Sequence, residues 1–249
     1  MSRRNRRNNL QSNPFVVLSD MTIGLAFFFA IFSMVAGLAN SQAVMVIQRQ
    51  GRQESVKSSV LTAFQQVFPG CKGINKKSDD THEHMTIYSS TGDIIGQVWE
   101  NGNFQRIKVL ARSFDGSRDS SLNTIGYRLY RSLGSVIKEN APSFAYLFVH
   151  GIVEPSEYSS PSMKGSARLL SRQRADNVYD LLTTNGVISS SDQEAKRNQI
   201  PAKYAIPYGT GTDLYTVDEA EQWGTGRYLG RVDIVFFYTD EREEDIASK

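Results

Sequence analysis

The chain has 249 residues, 40% hydrophobic and 22% charged, enough apolar material for one sizeable domain with appendages, which excludes a collagen-like or wholly disordered protein. Twenty-eight Lys+Arg against 26 Asp+Glu leave a net charge of +2, too balanced for a nucleic-acid binder that relies on a broad basic field. One cysteine, Cys71, excludes an intramolecular disulfide and a CxxC metal or redox site, leaving a bond between two chains as its one disulfide option.

The charge is unevenly placed. Residues 1–12 hold Arg3, Arg4, Arg6 and Arg7 and no acid, a basic tail of +4 that leaves −2 for the rest. Residues 21–48 contain no charged side chain, and residues 21–39 are apolar apart from Thr22, Ser33, Gly24 and Gly37. At about 1.5 Å per residue that stretch spans roughly 28 Å, close to the hydrocarbon thickness of about 30 Å, so one transmembrane helix is expected within residues 13–40. The arginines in front of it keep the N-terminus cytoplasmic and place the remainder on the far side. A secretory signal peptide is the alternative, with Gly37 and Ala39 as a small-x-small cleavage site, but the apolar stretch exceeds the roughly 7–15 residues of a signal core.

Asp20 is the most informative residue. Hydrophobicity begins at Pro14-Phe15-Val16-Val17-Leu18, so Asp20 lies more than a turn inside the apolar span. A carboxylate there costs about 2.5–3.5 kcal/mol on insertion scales and needs a partner or a polar cavity. It reads as an ion-carrying carboxylate; the alternative is a helix N-cap or a partner for the arginines at the headgroup boundary. Gly24, Phe27 and Ile31 share its direction on a helical wheel, whereas Ala26, Ala30, Ser33 and Gly37 form a separate small-residue face suited to helix packing.

Val44, Ile47, Val56, Val60, Phe64 and Val67 recur at near-helical spacing, ending at Pro69-Gly70, with one helix or two pieces divided at Gly51 as the alternatives. Residues 41–83 are therefore expected to hold a linker helix over 41–68, extending the membrane helix and pairing in a dimer or acting as a plug, and then a polar linker over 70–83. His82 and His84 lie in that linker without a third ligand at metal spacing.

From residue 84 to 240 an α+β domain is legible. Short strands are expected at 85–88, 94–99 and 106–110, a helix at 123–140, a strand at 146–149, a helix at 164–184 with Leu170, Val178, Leu181 and Leu182 inward, and a strand at 231–237. The acidic tail, 241–249, reads as disordered. Between 201 and 212 lie Pro201, Pro207 and the run Tyr208-Gly209-Thr210-Gly211-Thr212, which lacks the lysine of a phosphate cradle and reads as a loop. No nucleophile–base pair or metal constellation stands out, so an enzyme is not expected.

SFDGSRDSSLNTIG at 113–126, FVHGIVE at 148–154, LLSRQRADNVYDLL at 169–182 and GRVDIVF at 230–236 resemble, in this order, the OmpA-like peptidoglycan-binding domain. NPFVVLSDMTIGLAFFFAIF at 13–32 resembles the membrane segment of MotB-type stator subunits, with an Asp, then Met-Thr, then a Phe pair. Together the two cover nearly the whole chain. The resemblance implies a single-pass protein of the bacterial inner membrane with an OmpA-like α/β sandwich in the periplasm. It also implies a homodimer inside a ring of MotA-like multi-span subunits, five to each dimer, with protons or sodium ions passing Asp20 and no cofactor.

The family's Leu-Ser-x-x-Arg-Ala motif is matched by Leu170, Ser171, Arg174 and Ala175, which implies that Arg174 grips the diaminopimelate carboxylate of a cell-wall stem peptide. Glu154 stands where the family's Gly-His-Thr-Asp turn has aspartate, Ala167 where it has asparagine, and Arg231 is what remains of a closing Asn-Arg-Arg. The membrane motif departs too, with Ser19 where flagellar stators have alanine, no Trp ahead, and a short cytoplasmic tail. Those departures favour a non-flagellar relative, such as the B subunit of Zorya-type anti-phage defence motors, over a flagellar stator subunit. A passive membrane-tethered wall anchor, with Asp20 structural, is the remaining alternative.

Overall fold

The computed structural model describes residues 14–77, 83–102, 104–116, 118–153, 164–190, 196, 198–211 and 230–238, without the side chains of 14–26, 28, 30, 39, 41, 42, 83 and 164. The chain divides into two compact units, Met1–Gln48 and Arg49–Lys249.

In the first unit the backbone from Pro14 onward belongs to helix α1 (Pro14–Val67). Phe27, Phe29, Ile31, Phe32, Met34, Val35, Leu38, Val44, Met45, Val46 and Ile47 are all exposed, so apolar side chains point outward around the whole helix. A water-facing helix keeps a polar face, and this stretch has none. Among the described residues, α1 is the one helix long and apolar enough to cross a membrane. Asp20, Ala26 and Ala30 are on its backbone path, but their side chains lie outside the described residues. Ser33 and Gly37 are exposed, and a Cβ at Gly37 would meet nothing within 4 Å.

In the second unit, strands β1 (Lys72–Lys77), β2 (Glu83–Tyr88), β3 (Ile94–Asn101), β4 (Phe104–Val109), β5 (Phe144–Ile152), β6 (Ala205–Gly209) and β7 (Arg231–Tyr238) form one seven-stranded sheet in the order β1-β2-β3-β4-β7-β5-β6. Helix α2 (Thr124–Asn140) precedes β5, and α3 (Lys164–Thr184) lies between β5 and β6. Neighbouring strands are antiparallel except β5 and β6, which the α3 crossover makes parallel. The fold is α+β, as the sequence indicates.

Strand alternation gives the sheet one apolar face. Ile107 and Val109 of β4, Leu147 and Val149 of β5, and Val232, Ile234 and Phe236 of β7 join Leu129, Leu133 and Ile137 of α2 and Val178 and Leu182 of α3 in one core. Helix α2 starts where the Asn123 side chain accepts from the Gly126 amide at 2.7 Å, a cap that satisfies an otherwise unpaired donor. Tyr130 of α2 donates its hydroxyl to the Val232 carbonyl at 2.8 Å.

Two expectations about residues 41–83 are corrected, and of the alternatives at Gly51 the continuous helix holds. Helix α1 runs through Gly51 without a break, because the turns after it are held by packing worth more than the roughly 1 kcal/mol a helical glycine costs. Those turns belong to the domain, with Val56, Val60, Ala63 and Phe64 fully buried in its core, so residues 53–67 form neither a free plug nor a spacer. Residues 72–77 form edge strand β1, paired in register with β2 from Lys72↔Tyr88 to Lys77↔Glu83, rather than a polar linker. KGINKK carries no apolar alternation, and lysines on an edge strand discourage pairing with other chains. The other unexpected strand, β6, is also an edge among the described residues; Pro207 is tolerated there because no outer neighbour among them needs its amide.

Cys71 is free and 2% exposed, which takes it out of reach of a second chain. His84 stacks on Trp99 with ring centroids 4.4 Å apart, whereas His82 and the acidic tail lie outside the described residues.

Candidate carboxylate-binding site

The matched motif sits in the first half of α3 and turns inward. Leu170, Ser171, Arg174 and Ala175 are all buried, and so is Ala167, the residue standing for asparagine. Two glycines let the strand ends come this close. A Cβ on Gly151 of β5 would collide with the Ser171 carbonyl, and one on Gly209 of β6 with the Arg172 amide and the Ser171 hydroxyl. The Ser171 hydroxyl donates to the Arg168 carbonyl and accepts from the Gly211 amide, both at 2.9 Å. Residues 208–211 of the glycine run, expected to be a loop, are therefore part of the packed seam between β6 and α3.

Arg174 has the largest fully buried side chain of the described residues. Its Nε donates to the Asp119 carbonyl at 2.9 Å and its Nη2 to the Gly116 carbonyl at 3.0 Å, while the guanidinium lies 4.6 Å from the centroid of the Phe114 ring. A buried cation needs hydrogen bonds or a partner charge, and here carbonyl dipoles and a ring face supply them. Gly230, at the start of β7, leaves room for Nη1, because a Cβ there would overlap it. Asn177, one turn further along α3, donates to the Ser120 carbonyl at 2.7 Å and holds the same segment. The Asp119 carboxylate accepts from the Ser121 amide at 2.8 Å, and that bond, with one from the Ser121 hydroxyl, holds its carboxyl below the usual range.

Arg231 is not part of this cluster. Strand alternation sends it with Asp233 to the face opposite Val232 and Ile234, where its Nε donates to Asp233 Oδ1 at 3.0 Å. Arg106 of β4 binds the other oxygen of Asp233 at 2.8 Å through Nε. Burial alone would raise the Asp233 carboxyl, but the charges of Arg231 and Arg106 outweigh it and keep it below the usual range. His150 stacks on Tyr208 beside them and shares a 2.9 Å hydrogen bond with Thr210. Near this group is a shallow pocket of about 270 Å³ lined by Phe148, Ile206, Tyr208, Val235 and Phe237, apolar side chains apart from one phenol and unsuited to a carboxylate.

Of the four residues that the resemblance assigns to peptidoglycan, Leu170 and Arg174 thus lie together, Arg231 is on the far side of the sheet, and Glu154 is outside the described residues. Phe114, Gly116, Asp119, Asn177 and Gly230 complete the surroundings of Arg174. Most of them act through backbone atoms or lack of a side chain, which leaves no pattern of residue types to find.

No family model matches the chain, and no curated protein does. Among solved structures it is similar to the periplasmic domain of Helicobacter pylori MotB, at 13% identity over 66% of this chain and 93% of that one, with a TM-score of 0.45. It is similar also to the cell wall anchor of the T6SS from Pseudomonas aeruginosa, at 18% identity over 58% and 89%, TM-score 0.39. The OmpA-like domain of FopA1 from Francisella tularensis follows at 15% identity over 58% and 82%, TM-score 0.38. All three scores fall below 0.5, and the functional reading is built on this chain's own residues.

Proposed function

We propose that the chain is a MotB-like subunit of an ion-driven membrane motor, whose C-terminal domain anchors it to peptidoglycan through the Arg174 site. The observation that carries the reading is Asp20 on a helix whose apolar side chains face outward on every side from Phe27 to Ile47. Lipid is the environment that suits such a surface, and an acid on such a helix is a functional group by default. In this reading two copies form the core of a ring of MotA-like subunits, and Asp20 takes up and releases a proton or sodium ion at each step. The buried arginine of α3 supplies the planar fork that recognises a stem-peptide carboxylate. A non-flagellar motor of the Zorya type is favoured over a flagellar stator by Ser19 before Asp20 and by the absence of a Trp ahead of it.

The test is Asp20→Asn beside Asp20→Glu, in cells that also express the MotA-like partner, with complex yield, phage plating and swimming measured together. The amide keeps the shape and removes the ionisable group, so Asp20→Asn assembles and is inactive, whereas Asp20→Glu keeps part of the activity. Loss of phage protection with swimming unaffected identifies the defence motor. A fully active Asp20→Asn leaves only the passive anchor.

A further inference from the structure

The Nε and Nη2 atoms of an arginine lie along one edge of the guanidinium, the edge that meets both oxygens of a carboxylate in a side-on pair. In Arg174 that edge is taken, by the Asp119 carbonyl at 2.9 Å and the Gly116 carbonyl at 3.0 Å. These two oxygens stand where the two oxygens of a bound carboxylate would be. The Phe114 ring lies against the guanidinium, and the side chain has no exposed surface, so a ligand cannot reach that edge while the segment stays.

The segment is tied down and also folded on itself. Asn177 of α3 donates to the Ser120 carbonyl at 2.7 Å, and Asn123, the cap of α2, donates to the Phe114 carbonyl at 3.2 Å. Within it, the Asp119 amide donates to the Gly116 carbonyl at 3.3 Å and the Ser121 amide to the Asp119 carboxylate at 2.8 Å.

We propose that the segment bearing Gly116, Asp119 and Ser120 is an internal competitor for the Arg174 site. It satisfies the arginine with backbone carbonyls in the absence of cell wall, and a diaminopimelate carboxylate replaces it on binding. The proposal rests on the reading of Arg174 as the wall-binding residue and adds how that site is controlled. A carboxylate makes a charge-assisted pair that neutral carbonyls do not match, so the ligand displaces the segment. Its apparent affinity is lowered in proportion to the fraction of molecules already open. Loosening the segment therefore tightens wall binding, the opposite of what a loop that forms part of the binding surface would do.

The experiment uses the full-length protein in detergent and a muropeptide containing meso-diaminopimelate, with binding followed by calorimetry and amide hydrogen exchange by mass spectrometry. Asn177→Ala removes one tie, and about three- to tenfold tighter binding is expected from the loss of one hydrogen bond on the closed side of the equilibrium. In the wild type, the amides of Asp119 and Ser121 exchange faster once the muropeptide is bound. Equal or weaker binding by Asn177→Ala, or unchanged or slower exchange in the bound wild type, overturns the competitor and leaves wall binding standing. If neither protein binds the muropeptide nor sediments with purified sacculi, the wall-binding reading falls and the competitor with it.

Discussion

The ring of Phe64 in α1 fills the space above Gly96 of β3, where a Cβ would meet its Cζ at 2.5 Å. The contact locks the last turns of α1 onto the sheet. Lys57, two turns back along the same face of α1, reaches Glu100 of β3 at 3.1 Å, and Gln53 donates to the Gly102 carbonyl at 3.0 Å. The domain therefore begins inside the long helix.

Phe64→Ala should cost about 3–5 kcal/mol, since a fully buried ring is removed above a glycine that cannot fill the cavity. Chemical denaturation of the protein, read from Trp99 fluorescence, measures it. Deleting residues 50–62 takes out Val56 and Val60 as well and should abolish cooperative unfolding. A deletion that leaves the domain folded would restore the free plug that the core packing argues against.

His150 makes stability depend on pH. It is 1% exposed, and burial, reinforced by Arg106 and Arg231 and opposed by Asp233, pulls its imidazole down to about 4. Between there and its ordinary value of 6.5 the unfolded chain binds a proton that the folded chain does not, so stability rises with pH across this window and is lost as pH falls. A shift of that size corresponds to roughly 3 kcal/mol. Urea midpoints from pH 4 to 7 should show the slope in the wild type, and His150→Gln should flatten it.

Asp233 acts below that window. Its carboxyl is held below 3.8 despite burial, so its contribution is present above that value and disappears as the pH falls through the lower, folded-state one. Asp233→Asn leaves Arg231 and Arg106 facing each other across an amide, and breaking a buried charge cluster in this way costs about 3–5 kcal/mol. The loss should be seen at pH 7. A mutant as stable as the wild type would mean that the two arginines find water or other acceptors.

How far these features were legible in the sequence follows from which atoms do the work. Helices α2 and α3, the strands with apolar alternation and the inward side of α3 are visible in the sequence, because side-chain periodicity reports burial directly. Strands β1 and β6 are not, since KGINKK and AIPYG are edges held by backbone bonds. The docking of residues 53–67 was hidden by its position in one long helix that begins as an apolar span. Arg174 was found by motif, but its partners are the carbonyls of Gly116 and Asp119, which any residue would supply. The motif groups Arg231 with it, whereas the two-residue period of β7 sends Arg231 to the other face.

Gly230 offers a test of the Arg174 packing that leaves Arg174 itself in place. Its φ is +75°, and a Cβ there would overlap Nη1 of Arg174 and approach the Ile152 carbonyl at 2.9 Å. Gly102, in the turn between β3 and β4, also has a positive φ, +56°, but a Cβ there meets nothing within 4 Å. Gly102→Ala therefore carries the backbone strain alone, about 1 kcal/mol. Gly230→Ala carries that strain and must also push the guanidinium off its carbonyls, so its loss of stability should exceed the control by at least about 1–2 kcal/mol. Adding Arg174→Met to Gly230→Ala removes the clashing head group, and the two substitutions should be strongly non-additive, because the second relieves what the first creates. Thermal unfolding of the wild type, Gly230→Ala, Arg174→Met and the double variant, with Gly102→Ala as control, measures this, and additive losses would show that Gly230 is required by the backbone of β7 rather than by Arg174.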